Sequence, residues 1–186
     1  EGRLLRIMER WCFQWVDHTL TAEASYARVC AGHVYSHLPN YHKPYRSSPS
    51  ISCDTQAIRP IYTGVISEKR GLLTMIELAR KMKNRKLGTG LEWVGVCYIA
   101  AQRKQAQKQI EAAGLSDFIE RIGWDRFVAP EAIETHYRRA TVGLCLMQPH
   151  PNYVDSVPTK MYEYLHHGLP IICSDFPLWR DFIERY

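Results

Sequence analysis

The sequence predicts an α/β protein: a parallel sheet with helices on both faces. Three observations carry that expectation. From Ile58 onward, short apolar runs alternate regularly with stretches of helical period. Runs such as Leu91 to Tyr98 and Thr141 to Met147 are continuous rather than alternating, as in strands covered on both faces. Glycine or proline marks the junctions at Gly64, Gly71, Gly114, Pro130, Pro158 and Gly168. Strands separated by helices of roughly 10–15 residues join as right-handed β-α-β units and give a parallel sheet.

The elements follow in order. Leu4, Leu5, Ile7, Met8, Trp11, Cys12 and Trp15 form an amphipathic helical stripe. A strand at 17–21, a short helix from Glu23 to Cys30 and a strand at 33–38 come next. Tyr45 to Asp54 is polar and rich in serine and proline, as linkers are. The regular alternation then begins with a strand at Ile58 to Tyr62 and a helix opened by Gly71, with Leu72, Met75, Ile76, Ala79 and Met82 on one face. Leu91 to Tyr98 is a strand, Gln102 to Ala113 a polar helix, Ile119 to Ile122 a strand, Pro130 to Arg139 a helix and Thr141 to Met147 a strand. The last stretch, from Asn152, reads as a loop, then a helix from Thr159 to His167 opened by Pro158. Gly168 ends that helix, Pro170 to Cys173 is a strand covered on both faces, and a second helix starts after it. The predicted organisation is 1–44 as the end of a preceding domain, 45–57 as linker and 58–186 as an α/β domain that is incomplete. The chain starts inside one helical pattern and stops inside another, as an excised piece would.

Composition narrows the function classes. Hydrophobic residues make up 46% and charged residues 23%, an ordinary globular balance. The net charge of +5 is mild, and its one dense run, Arg80 to Lys86, ends a helix where the dipole favours cations. Nucleic acid is therefore not an expected partner. A basic surface is compatible with peripheral contact to an anionic membrane, but this charge is slight. The six cysteines are scattered without a C-x-x-C pair, which fits buried free thiols in a reducing, cytoplasmic setting. No apolar run reaches the roughly 18 residues of a membrane span. His33, His37 and His42 match no zinc-ligand spacing, so no metal site is expected.

The missing motifs are informative. No G-x-G-x-x-G, G-x-x-x-x-G-K-[ST], D-x-D or G-x-S-x-G is present. Two segments remain. Thr63 to Gly71 is a strand-to-helix loop with glycines at both ends and the cations Lys69 and Arg70. Asp155 to Glu163 places Lys160 in a first helical turn, with an acid at each end of the segment. If both loops lie at one edge of the sheet, Arg70 and Lys160 can converge on a phosphate beside the helix start. Glu163 could then accept hydrogen bonds from a vicinal diol such as a ribose. Each residue also has a plainer reading. Glu163 and Lys160 read as a surface i,i+3 pair, Arg70 as solvated loop charge and Asp155 as a turn cap. Tyr162 and Tyr164 read as core or surface aromatics, His166 and His167 as helix-end residues and Cys173 as inert.

Taken together, these residues resemble the nucleotide-sugar-binding half of a GT-B glycosyltransferase of family 4, the retaining group 1 type. The resemblance runs from about Ile58 to Ile183. It rests on the G-x-x-S-x-x-[KR]-G segment at 64–71, Leu91-Glu92-Trp93-Val94-Gly95, the Gly114 and Gly123 spacing and Pro130-Glu131. Its most specific part is P-x-K-x-x-E-Y-x-x-x-G-x-P-I-I from Pro158 to Ile172. Residues 1 to about 38 resemble the closing elements of the family's acceptor-side domain.

The resemblance implies a Rossmann-like domain, one half of a GT-B fold, that binds a nucleoside-diphosphate sugar without a metal or other cofactor. Glu163 would hold the ribose, Arg70 and Lys160 the diphosphate, and Gly123-Trp124-Asp125 would approach the base, with Gly64 also among the donor-binding residues. Asp155 takes the place of the first acid of the family's E-x(7)-E pair, which faces the donor sugar, so Asp155, Arg70 and Lys160 would serve the reaction. Two departures stand out. That first acid is one methylene shorter, and Val65 replaces the arginine that follows the first glycine. The implied activity is hexosyl-type transfer with retention to a saccharide or lipid-linked acceptor, in the cytoplasm or at the inner face of the membrane. The acceptor would be bound by a domain outside this chain, leaving the polypeptide inert by itself. A nucleotide-sugar epimerase of similar architecture and a degenerate, non-catalytic nucleotide-sugar-binding module are the alternatives.

Overall fold

The structure, a computed structural model, describes residues 2–28, 30, 32–38 and 58–185. The chain forms two compact units, Glu1–Tyr41 and His42–Tyr186. The linker expected at 45–57, with Cys53, and His42 lie outside the described residues.

In the first unit, helix α1 (Gly2–Phe13) carries the predicted apolar stripe, yet none of its residues is buried. Strands β1 (Thr19–Thr21) and β2 (Tyr35–His37) pair in parallel, a shorter pairing than the sequence suggests. The histidines here make ordinary contacts: His33 stacks on Phe13, and His37 Nε2 donates to the Ala22 carbonyl at 3.3 Å.

The second unit is a five-stranded, wholly parallel sheet ordered β5-β4-β3-β6-β7. Its strands are β3 (Pro60–Thr63), β4 (Leu91–Val96), β5 (Ile119–Trp124), β6 (Val142–Cys145) and β7 (Ile171–Cys173). Helices α2 (Leu72–Asn84) and α3 (Ala100–Ala112) cover one face, where Tyr62, Trp93 and Leu144 meet Met75, Ile76 and Ile110. Helices α4 (Pro130–Tyr137) and α6 (Thr159–His166) cover the other, where Ile61 and Val94 meet Tyr137 and Tyr164. The alternation of Ile61 with Tyr62 and of Trp93 with Val94 between these two cores is the period of two that a strand imposes. A third cluster joins Cys145 and Met147 to a one-turn helix α5 (Pro151–Val154) and to α7 (Pro177–Ile183).

Several expectations need correction. The stretch read as a loop from Asn152 contains α5, opened by Pro151 at its first position and by His150, whose Nδ1 accepts from Asn152 N. Strand β7 is not covered on both faces: it is the edge strand, and Ile172 is 50% exposed. Cys30, Cys97 and Cys145 are buried free thiols, Cys173 is half-buried, and Cys12 is exposed.

The strand order reverses between β3 and β6. The two strands pair only at Pro60↔Val142 and Ile61↔Gly143 and then separate. The chain after Thr63 keeps following β4, through Gly64 N to Val94 O and Ile66 N to Val96 O. A fork therefore opens at the carboxyl ends of β3 and β6, the switch point where ligands of open α/β sheets bind.

Candidate functional site

Both loops singled out from the sequence leave this fork. The loop after β3 ends in a one-turn 3-10 segment, Glu68–Arg70, and Gly71 begins α2. Gly71 has φ +90, and a Cβ there would run into the Leu146 carbonyl of the loop after β6, so only glycine lets the two loops approach so closely. Gln148 N donates to Lys69 O at 2.9 Å, and Gln148 Nε2 to Thr74 Oγ1 at 3.1 Å, which ties the loops together.

Tyr164 wedges the fork open. Its ring lies against Gly143, where any Cβ would overlap it. Its hydroxyl accepts from Thr63 N at 3.2 Å and donates to Leu144 O at 3.1 Å, so one phenol bridges the backbones of the separating strands. That buried group is satisfied, and it fixes α6 relative to both strands.

Lys160 projects from the first turn of α6 into this fork, and no side chain caps that turn. It is 6% exposed, its Nζ has no hydrogen-bond partner, and it sits 3.6 Å from the centroid of the Tyr62 ring. Gly64 adjoins it: a Cβ there would lie 3.7 Å from Nζ. Burial lowers the Lys160 pKa to about 7; the charge of Arg70 pushes the same way, and that of Glu163 opposes it. The surface ion pair with Glu163 that the i,i+3 spacing suggests does not form. The helix instead turns its lysine inward, against Tyr62 and Cys145. Burial also raises the Tyr62 phenol, which donates to Val65 O at 2.6 Å, and Arg70 is close enough to counter that rise. The Arg70 guanidinium lies 5.9 Å from the Tyr153 ring.

Glu163 is half-buried one turn further along α6. Tyr137, at the end of α4, donates to its Oε2 at 2.6 Å. Asp155 closes α5 and is exposed; Trp179 Nε1 donates to Ser156 O at 2.6 Å and anchors the segment just after it. Trp124 has φ +47 and is half-buried, its ring stacked on Trp93 of the core at 5.7 Å. Gly123 and the exposed Asp125 stand at the end of β5, two strands from the fork, a separation of roughly 10 Å.

The structure thus brings Gly64, Arg70, Lys160 and Glu163 to one place, with Asp155 on the neighbouring loop and the β5 rim further along the sheet. Sequence reasoning missed Tyr137 and Tyr164 as site-building residues, because their partners lie 26 and 101 positions away. His167 does more than end α6: it is buried, stacks on Tyr137 at 4.5 Å and lies 3.3 Å from Glu134. Among the described residues, no group of three or more His, Cys, Asp or Glu side chains could hold a metal ion, and no helix is long and apolar enough to cross a membrane.

Known structures share this architecture. The C-terminal domain of a group 1 family glycosyl transferase (LpcC) from Francisella tularensis superposes with a TM-score of 0.55 at 19% identity, covering 75% of this chain and 71% of that one. The chain has the fold of one GT-B half. This GT-B half also matches sucrose-phosphate synthase from Thermosynechococcus elongatus, with a TM-score of 0.63 at 16% identity, over 90% of this chain and 43% of that one. HepE from Anabaena, solved in complex with UDP and glucose, matches with a TM-score of 0.61 at 15% identity, over 91% of this chain and 47% of that one. The GT-B half thus spans less than half the length of these two proteins. No family model and no curated protein matches the sequence.

Proposed function

We propose that the chain is the donor-binding half of a glycosyltransferase that takes a nucleoside-diphosphate sugar and passes the sugar, with retention, to a saccharide or lipid-linked acceptor. The observation that carries this reading is the Lys160 amino group, buried at the β3–β6 fork with no hydrogen-bond partner. A buried, unpaired polar group costs free energy unless a ligand completes it, and the neighbouring Arg70 makes that ligand an anion. As the bond from the sugar to the diphosphate breaks, negative charge builds on the departing oxygens. Lys160, Arg70 and the uncapped start of α6 would hold that charge. Glu163 takes the ribose hydroxyls, the 123–125 rim faces the base, and Asp155 lies toward the donor sugar. Metal independence belongs to the proposal and rests on the absence of a D-x-D pair from the sequence. The acceptor pocket is assigned to a partner domain.

Calorimetric titration with UDP, GDP and their sugars tests the reading on the wild-type chain and on Glu163→Ala. One nucleotide should bind, with affinity at least about tenfold weaker in the variant. Absence of any heat of binding at millimolar nucleotide would sink the proposal.

A further inference from the structure

Glu163 is not held by its own helix. The Tyr137 ring is 5% exposed, with the edge of Tyr164 at 5.9 Å on one side and the face of His167 at 4.5 Å on the other. So clamped, its hydroxyl has little freedom and reaches two atoms: Glu163 Oε2 at 2.6 Å and Thr63 Oγ1 at 3.0 Å. A phenol has one proton to donate. An ionised carboxylate only accepts, so the shorter contact takes that proton; the Thr63 hydroxyl, 3.4 Å from the Tyr164 hydroxyl, then donates to the nearer Tyr137. The polarity of the chain is therefore fixed, from Thr63 at the tip of β3, through Tyr137, to one oxygen of Glu163. Burial, reinforced by the charge of Glu163, drives the Tyr137 pKa upward, so the phenol keeps its proton throughout the working range. Among the described residues, no hydrogen bond is recorded to the other carboxylate oxygen.

We propose that Tyr137 is a positioning residue for nucleotide binding, aiming the Glu163 carboxylate so that its second oxygen is presented to a vicinal diol. The inference rests on the functional reading above and deepens it: the donor's ribose is recognised through a residue that never touches it. Tyr137 lies at the far end of a different helix, so neither the α6 motif nor its spacing reveals this role.

The test compares ribonucleotides with analogues lacking the diol. Dissociation constants for UDP, GDP and their 2′,3′-dideoxy counterparts are measured on the wild type and on Tyr137→Phe, which keeps the ring contacts and removes only the hydroxyl. The variant should weaken the ribonucleotide about tenfold and leave the dideoxy analogue unchanged. In a Glu163→Gln background, the same change should have no further ribose-selective effect. Equal weakening of both ligands, or no weakening of either, overturns the proposal, since a merely structural role would not distinguish them. If Tyr137→Phe fails to fold, Thr63→Val takes its place, with a ribose-selective loss of about threefold expected and a ribose-independent one contradicting it. A wild type that binds none of these nucleotides refutes the functional reading itself, and the inference falls with it. Wild-type binding without a response in the variants refutes the inference alone.

Discussion

The two ends of the parallel sheet bury charge in opposite ways. At the amino ends of the strands, Glu92 of β4 has no exposed side-chain surface and is fully engaged. Arg59 Nε donates to it at 3.1 Å, His136 and Arg139 also contact it, and Glu120 binds both arginines. At the carboxyl ends, Lys160 is also buried but has no hydrogen-bond partner. A paired buried ion holds a fold together, whereas an unpaired one is costly and persists where a ligand completes it. The contrast supports reading one end of the sheet as a brace and the other as the proposed donor site.

Breaking the brace should have the largest effect. Glu92→Ala removes the buried acid shared by Arg59, His136 and Arg139 and leaves the two arginines to Glu120; the loss of these charge-assisted contacts should cost about 3 kcal/mol of unfolding free energy in a urea titration. Burial pushes the Glu92 carboxyl up, but hydrogen bonds from Arg139, His136 and Arg59 outweigh it and hold the pKa below its usual value. The folded state therefore binds fewer protons than the unfolded chain at low pH. The stabilisation is fully present above the unfolded pKa, roughly 4, and is lost as pH falls below it. Wild type should show acid unfolding there, with a smaller slope in Glu92→Gln.

Removing the unpaired charge should act on binding and not on the fold. Lys160→Met keeps nearly the same volume, so the midpoint of unfolding should stay at or above that of wild type. Nucleoside-diphosphate affinity should fall on the order of 100-fold, as loss of a preorganised donor of this kind implies. A variant that unfolds easily yet binds normally would reverse the roles assigned to the two ends.

These contrasts also mark what was legible beforehand. The alternating elements, the parallel sheet and the α6–Gly168–β7 unit could be read because apolar period, Pro158 and Gly168 are local signals. Helix α5 escaped because four residues carry no periodicity and His150 is an unusual cap. The exposure of Ile172 escaped because a continuous apolar run does not distinguish a central strand from an edge. Lys160 and Glu163 look like a surface pair at their spacing. Only the tertiary fold shows that one turns toward Tyr62 and the other toward Tyr137. Glu92 did leave a trace, as a lone acid within the apolar run Leu91 to Val96, but its partners are Arg59 just before β3, His136 of α4 and Arg139 just after it, and the sequence cannot pair them.

A smaller effect sharpens the same comparison. With its pKa lowered to about 7, Lys160 should be largely neutral at pH 8 in the ligand-free domain and should take up a proton on binding the proposed diphosphate. Affinity should therefore decline as pH rises from 7 to 8.5, by at most about tenfold per unit, and calorimetry in buffers of different ionisation enthalpy should register proton uptake. The ligand-free fold shows the opposite sign. It holds fewer protons than the unfolded chain in that window, so this group makes it more stable as pH rises. Both dependences should disappear in Lys160→Met.

The most direct test of the account is a crystal of the chain soaked with whichever of UDP or GDP binds. The predicted density places diphosphate oxygens within hydrogen-bond reach of Lys160 Nζ and Arg70, with the ribose hydroxyls on the Glu163 oxygen that Tyr137 leaves open. A nucleotide bound elsewhere, or a Lys160 ammonium still resting on Tyr62 with no phosphate beside it, would contradict the claim that the fork between β3 and β6 is the donor site.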